Sequence, residues 1–251
     1  MKDKAVLITG AGRGIGLSIA KKLAGEGYNL ILLTNTKNSE NNLLSMEFVR
    51  SSNSRVLSFD ITQNKKITDY DLTNLSNIWG IVNNVGICKT FNLKDTGDDP
   101  LEEVLNTNLI GPYTLTKRLL PYLSRPGRIV NIASQLGQEG RGGYSAYCAS
   151  KFGLIGMTKC WAKELGSEGI TVNAVCPGWV DTEMSRIDMQ RMANEQGLEV
   201  EQFYTEICEP LELKRFNSTD EVANLVSFLL SDDATGITGR DWLMQTVWNQ
   251  K

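Results

Sequence analysis

The chain has 251 residues, 41% of them hydrophobic and 22% charged, with a formal net charge of -3. That length can bury a substantial core, and the charge offers no basic field to collect nucleic acid. Five cysteines (Cys88, Cys148, Cys160, Cys176 and Cys208) form no Cys-x-x-Cys pair and fit reduced, buried thiols, while the absence of any histidine removes Ser-His-Asp and Cys-His catalysis and histidine-based metal sites.

The N-terminus leads directly into the apolar run Ala5–Ile8, too brief for a signal peptide, and no apolar run reaches the roughly 18 residues of a membrane span. A cytoplasmic protein without membrane contact is expected. Strand-like runs recur at Ala5–Thr9, Leu30–Leu33, Val56–Asp60, Ile78–Asn83, Arg128–Ala133, Thr171–Cys176 and Trp242–Thr246. Helical patterns separate them, the longest over Pro100–Leu123 and Tyr147–Glu168. This alternation predicts a parallel α/β sheet of about seven strands, covered by helices on both faces. Asn35–Ser54 reads as a surface excursion with one short helix around Leu43–Arg50, and the stretch between Asp60 and Asn83 has room for one brief helix.

Directly after the first strand comes TGAGRGIG, Thr9–Gly16, opening a helical run. Glycines there let backbone N–H groups approach a pyrophosphate at the positive end of the following helix. A dinucleotide site is the inference, or else a plain glycine-rich connection. The end of the second strand distinguishes NAD from NADP, because a carboxylate there bonds the ribose hydroxyl whereas a 2′-phosphate needs cations. The stretch Leu32–Lys37 has no carboxylate. Arg13, with Lys37, can instead neutralise a phosphate, and Thr34, Asn35 and Thr36 offer hydroxyl or amide donors. NADP(H) is favoured, with NAD(H) left open.

Tyr147 and Lys151 stand four residues apart, hence on one helix face. A nearby ammonium favours the phenolate and would lower the tyrosine pKa toward the working range of a general acid. An ordinary surface pair would show the same spacing.

Taken together, TGAGRGIG at Thr9–Gly16, Asp60 after the third strand, NNVG at Asn83–Gly86, Asn108, Ser134, YCASK at Tyr147–Lys151 and CPGWVDTEM at Cys176–Met184 resemble the short-chain dehydrogenase/reductase (SDR) family over nearly the whole length. The spacing agrees too, with Ser134 thirteen positions before Tyr147. The resemblance implies a single Rossmann-type, doubly wound domain over 1–251 and the catalytic set Asn108, Ser134, Tyr147 and Lys151. In that set Ser134 and Tyr147 would stabilise the substrate oxygen and Tyr147 would give its proton. Lys151 would bond the nicotinamide ribose, and Asn108 would hold a water linking Lys151 to solvent.

The resemblance also implies that Gly10, Arg13, Gly14, Ile15 and Gly16 meet the cofactor phosphates and that Thr34 and Asn35 meet the ribose side. Asp60 and Ile61 would border the adenine, with Asn84 and Gly86 on the adenosine-ribose side. Pro177, Gly178, Val180 and Thr182 would lie against the nicotinamide. Valine stands in NNVG where the family usually has alanine, and the C-terminal end lacks the family's paired glycines. A homo-oligomer, dimer or tetramer, is implied through the helices starting near Pro100 and Tyr147.

The segment from about 182 to 213 reads as one or two amphipathic helices forming a substrate lid. Its Met184, Met189, Met192, Phe203, Tyr204 and Ile207 either shape an apolar pocket wall or simply pack the lid on the body. Gln135 and Tyr144 should look into the cleft, with Cys88, Lys89 and Thr90 as a further wall. The segment is similar to polyketide and acyl ketoreductases and to hydroxybutyrate dehydrogenases, especially in CPGWVDTEM and PLELKRF. The expected function is therefore an NADP(H)-dependent oxidoreductase interconverting a ketone, of β-ketoacyl or similar type, and a secondary alcohol. The alternatives are an NAD-dependent hydroxy-acid or alcohol dehydrogenase of the same family, or a non-catalytic dinucleotide-binding regulator.

Overall fold

The computed structural model describes residues 4–63 and 77–244. Strands β1 (Ala5–Thr9), β2 (Asn29–Thr34), β3 (Ser54–Ser58), β4 (Ile78–Asn83), β5 (Leu123–Ile132), β6 (Ile170–Pro177) and β7 (Asp241–Met244) form one sheet in the order β3-β2-β1-β4-β5-β6-β7. Every pairing is parallel. The order reverses beside β1, between β1 and β4. Such a switch point opens a crevice at the carboxyl ends of the strands, where ligands of open α/β sheets bind.

The strands are apolar runs because both faces are covered. Val6 and Ile8 of β1 join one core with Leu30, Leu32 and Val82, while Leu7 joins a second core with Ile31, Leu33 and Ile81. Successive side chains thus feed opposite layers. On the first face α1 (Gly14–Gly25) packs its Ile19 and Leu23 in the same core as Val222 and Val226 of α9 (Thr219–Leu230). On the second, Leu115 of α5 (Gly111–Leu119) and Trp161 and Leu165 of α6 (Ser145–Leu165) cover the sheet.

Three expectations change in detail. The excursion after β2 carries two helices, α2 (Lys37–Ser45) and α3 (Glu47–Ser51), so helix begins six residues before Leu43. Its start is set by Thr36, which accepts a hydrogen bond from the Ser39 amide as an N-cap. The long helix after Pro100 is interrupted: α4 (Leu101–Leu105) passes through a π-helical turn, Asn106–Ile110, before α5. β5 begins at Leu123, earlier than its apolar run, because Leu123 pairs with Ile78 ahead of a register shift. Residues 64–76, most of the stretch between Asp60 and Asn83 where one brief helix was expected, and 245–246, the expected end of β7, lie outside the described residues.

Beyond β6, α7 (Glu183–Gln196) and α8 (Val200–Cys208) form a small layer of their own. Met189, Met192, Phe203 and Ile207 are buried between them with Leu211 and Phe216. A capping box at Thr182 and Ser185 starts α7.

Candidate active site

The carboxyl ends of the strands open into a cleft of about 990 Å³ that runs from the Thr9–Ile15 turn to Asp188 on α7. Of the residues expected for catalysis or cofactor, all but Gly16, Lys37 and Asn108 line it.

At one end lies the glycine turn. Gly10 and Gly14 have φ of +65° and +53°, which L side chains rarely adopt. A Cβ on Gly16 would stand 2.2 Å from the Gly10 carbonyl oxygen and 2.5 Å from Asn84 Nδ2, so Gly16 serves packing rather than contact. Asn84 buttresses this turn: its Nδ2 donates to the Thr9 and Gly10 carbonyls at 2.9 and 3.2 Å, while Thr9 Oγ1 accepts from the Asn84 and Val85 amides. The amides of α1's first turn have no side-chain cap, because Arg13 occupies the cap position and contributes no such bond. A bare, glycine-walled helix N-terminus of this kind fits a pyrophosphate.

Beside the turn, Thr34, Asn35, Thr36 and Ser39 line the cleft. A Cβ on Gly12 would lie 3.4 Å from Ser39 Cβ and 3.5 Å from Thr34 Oγ1, so this hydroxyl-rich corner abuts the turn directly. Ser39 was not among the expected residues. The signal was the Thr-x-x-Ser of the α2 cap. No carboxylate enters from the end of β2; Asp60 spends its oxygens on Thr62 and Gln63, capping its own turn while still facing the cleft. The two expected cations are both engaged. Arg13 pairs with Glu183 at the start of α7, and Lys37 pairs with Glu40 at 2.9 Å.

At the far end, α6 presents Tyr147, Ser150 and Lys151. Lys151 is buried, and its Nζ lies 5.6 Å from the centroid of the Tyr147 ring and donates to the Ile132 carbonyl at 2.8 Å. Burial lowers Lys151 from 10.5 to about 8. Burial chiefly pushes the Tyr147 phenol above its ordinary value, with Cys88 adding to the rise and the Ser134 hydrogen bond opposing it. The phenol is thus raised where a depression by Lys151 was expected: desolvation leads, and one of the three N–H groups of the ammonium goes to the Ile132 carbonyl.

Ser134 follows β5, its Oγ accepting from the Leu136 amide at 3.1 Å. Asn108 is wholly buried in the π-helical turn. Its Nδ2 donates to the Ile87 carbonyl and to Ser150 Oγ, and its Oδ1 accepts from the Ile87 amide. A Cβ on Gly86 would lie 3.4 Å from both Asn108 Oδ1 and Lys151 Nζ, so the two groups flank one small gap that only a glycine leaves open. Beneath, Asn83 donates to Thr116 and Asn131, and Asn131 to Thr158, at 2.8 to 2.9 Å. This buried chain ties β4 and β5 to α5 and α6 and fixes the helix that carries Tyr147.

Residues 4–192 match the family described as short chain dehydrogenase, 189 of 251 positions being spanned. The chain belongs to the short-chain dehydrogenase family. It is an oxidoreductase of that family. Among its relatives, a 3-oxoacyl-[acyl-carrier-protein] reductase of Escherichia coli (strain K12) is 35% identical over 95% of this chain and 94% of its own. An actinorhodin polyketide ketoreductase solved with NADPH superposes with TM-score 0.91 at 28% identity, covering 99% of this chain and 98% of its own. An NAD+-bound xylitol dehydrogenase gives 0.89 at 26% identity, covering 98% and 99%.

Three further stretches of this short-chain dehydrogenase line the cleft. Gln135 and Tyr144 look into the cleft as expected, and Cys88 does so on the opposite side. Lys89 instead turns to Glu103, and Thr90 is not in the lining. From the 182–213 segment only Met184 among the six expected apolar residues lines the cleft; the others pack α7, α8 and Phe216 together. The segment contributes polar residues instead, Thr182, Glu183, Ser185 and Asp188. Asp188 accepts from the Tyr144 hydroxyl at 2.6 Å and from Arg191, which also donates to that hydroxyl at 3.0 Å.

Proposed function

We propose that the protein is an NADP(H)-dependent reductase of a β-ketoacyl or similar ketone, acting through Ser134, Tyr147 and Lys151, with the reverse alcohol oxidation available from the same groups. The convergence of these three side chains at the strand ends, opposite an uncapped glycine turn, is the observation that carries the reading. NADP(H), when bound, supplies or takes up the hydride.

Ser134 and Tyr147 offer two hydroxyls to one carbonyl oxygen, the preorganised donor pair that developing negative charge needs. A phenol held above its ordinary pKa stays protonated through neutral pH, so Tyr147 begins a reduction as the acid. Lys151, protonated below about pH 8, stands behind the phenol to balance the phenolate as it forms. Asn108 and Lys151 flank the gap beside Gly86, which gives a water a path from the ammonium toward reprotonation. The NADPH-bound ketoreductase likeness and the β2 end without a carboxylate favour NADP(H); the NAD+-bound likeness keeps NAD(H) as the second reading. The 182–213 segment acts as the substrate lid of a single catalytic domain, and the enzyme assembles as a homo-oligomer.

Tyr147→Phe tests the mechanism. Turnover of a ketone panel should fall by at least about a thousandfold, in line with loss of a general acid and an oxyanion donor together, while NADPH affinity changes little. Undiminished turnover in this variant would sink it. Tight NADPH binding by the wild type without oxidation by any ketone would favour a non-catalytic regulator.

A further inference from the structure

The Arg13–Glu183 pair stands at an unexpected position. Arg13 belongs to the glycine turn and borders the Thr34–Ser39 corner, whereas Glu183 is the first residue of α7. Both line the cleft and both are largely exposed, with side chains 79% and 63% open to solvent. The start of the lid also packs on the turn through a second contact, since a Cβ on Gly14 would lie 3.6 Å from Thr182 Cγ2. The first turn of α7 thus sits over the phosphate end of the cleft, tied to it by one ion pair. Arg13 is also the cation best placed to serve a 2′-phosphate, because it lines the cleft and Lys37 does not.

We propose that Glu183 is a cofactor-specificity residue, whose carboxylate competes with a 2′-phosphate for the Arg13 guanidinium, so that NADPH but not NADH detaches the first turn of the lid from the phosphate turn. This rests on the NADP(H) reading above. A guanidinium binds a phosphate dianion in preference to a carboxylate when the phosphate also finds hydroxyls, and the Thr34, Thr36 and Ser39 hydroxyls supply them. An exposed ion pair is weak enough to be displaced in this way. NADH presents a neutral ribose hydroxyl at that position, a weaker acceptor than the Glu183 carboxylate, and leaves the pair closed. Glu183 therefore taxes NADPH binding and leaves NADH binding untouched.

The test is fluorescence titration of NADPH and NADH into wild type, Glu183→Gln, Arg13→Gln and the double variant. Glu183→Gln should tighten NADPH by about two- to five-fold, the equivalent of one exposed ion pair, with NADH unchanged. Arg13→Gln should weaken NADPH by at least about tenfold and spare NADH, and the gain from Glu183→Gln should vanish in the double variant. Hydrogen exchange at the first turn of α7 should rise with NADPH and not with NADH in the wild type. Equal tightening of both cofactors, no tightening at all, or a gain that survives without Arg13 would overturn the competition while leaving the NADP(H) reading intact. If Arg13→Gln affects neither cofactor or both alike, the role of Arg13 in reading the 2′-phosphate fails, and the competition fails with it.

Discussion

At the scale of single residues, Lys151 shows how a fold changes the chemistry of a side chain. Its spacing from Tyr147 suggests an ammonium that tunes a phenol, yet in the folded chain the ammonium itself is perturbed, lowered to about 8 by burial. The sign of the stability effect follows. Below about pH 8 the folded state must hold the charge at a cost the unfolded chain does not bear, and this penalty is relieved between pH 8 and the ordinary 10.5 as the folded state sheds its proton first. Tyr147, Cys88 and Cys176, all raised, work in the opposite sense in the alkaline range. Comparison with Lys151→Met isolates the lysine: wild-type stability relative to the variant should climb between pH 8 and 10, measured by urea denaturation without cofactor. A flat or falling difference would show that Lys151 is not held in a desolvated site.

At the scale of elements, α7 of the proposed lid is joined to α6 by polar contacts as well as by chain connectivity. Tyr144 sits at the cap position of α6, one turn ahead of Tyr147, and its hydroxyl meets Asp188 and Arg191 of α7. Tyr144→Phe removes two neutral-to-charged hydrogen bonds, to Asp188 and from Arg191, each worth about 1.5–3 kcal/mol where both partners are well ordered. With Asp188 retained by Arg191, the lower end of that range is expected. Trypsin should then cut at Arg186 or Arg191 several-fold faster than in the wild type, with the global unfolding midpoint nearly unchanged. Equal cleavage rates would mean that the apolar layer of Met189, Met192, Phe203 and Ile207 alone holds the lid.

At the scale of the whole molecule, Ile110, Tyr113 and Phe152 are each more than two-fifths exposed on the helical turn before α5, on α5 and on α6. Large apolar groups exposed on neighbouring elements would suit the association surface of the proposed homo-oligomer. Light scattering should find a mass of at least a dimer, and Phe152→Glu should shift it toward the 27.8 kDa monomer. A wild-type monomer at micromolar concentration would remove this assembly. No described helix is long and apolar enough to cross a membrane, and no described group of acidic or cysteine side chains could hold a metal ion.

The sequence by itself determined the layered parallel sheet, because apolar runs of strand length alternating with amphipathic helices admit few other arrangements. It also determined the cleft, since Thr9–Gly16 and Ser134 follow the carboxyl ends of β1 and β5, and Tyr147–Lys151 lies in the first turns of the helix after β5. Tertiary structure alone decided how those groups are tuned. Desolvation depends on everything packed around an atom, so the rise at Tyr147 and the fall at Lys151 have no signature in a spacing of four. It likewise decided that Asn108 lies buried behind the cleft and that Glu183 reaches Arg13 across 170 positions of chain, because an ion pair between distant residues exists only once the layers that carry them have packed.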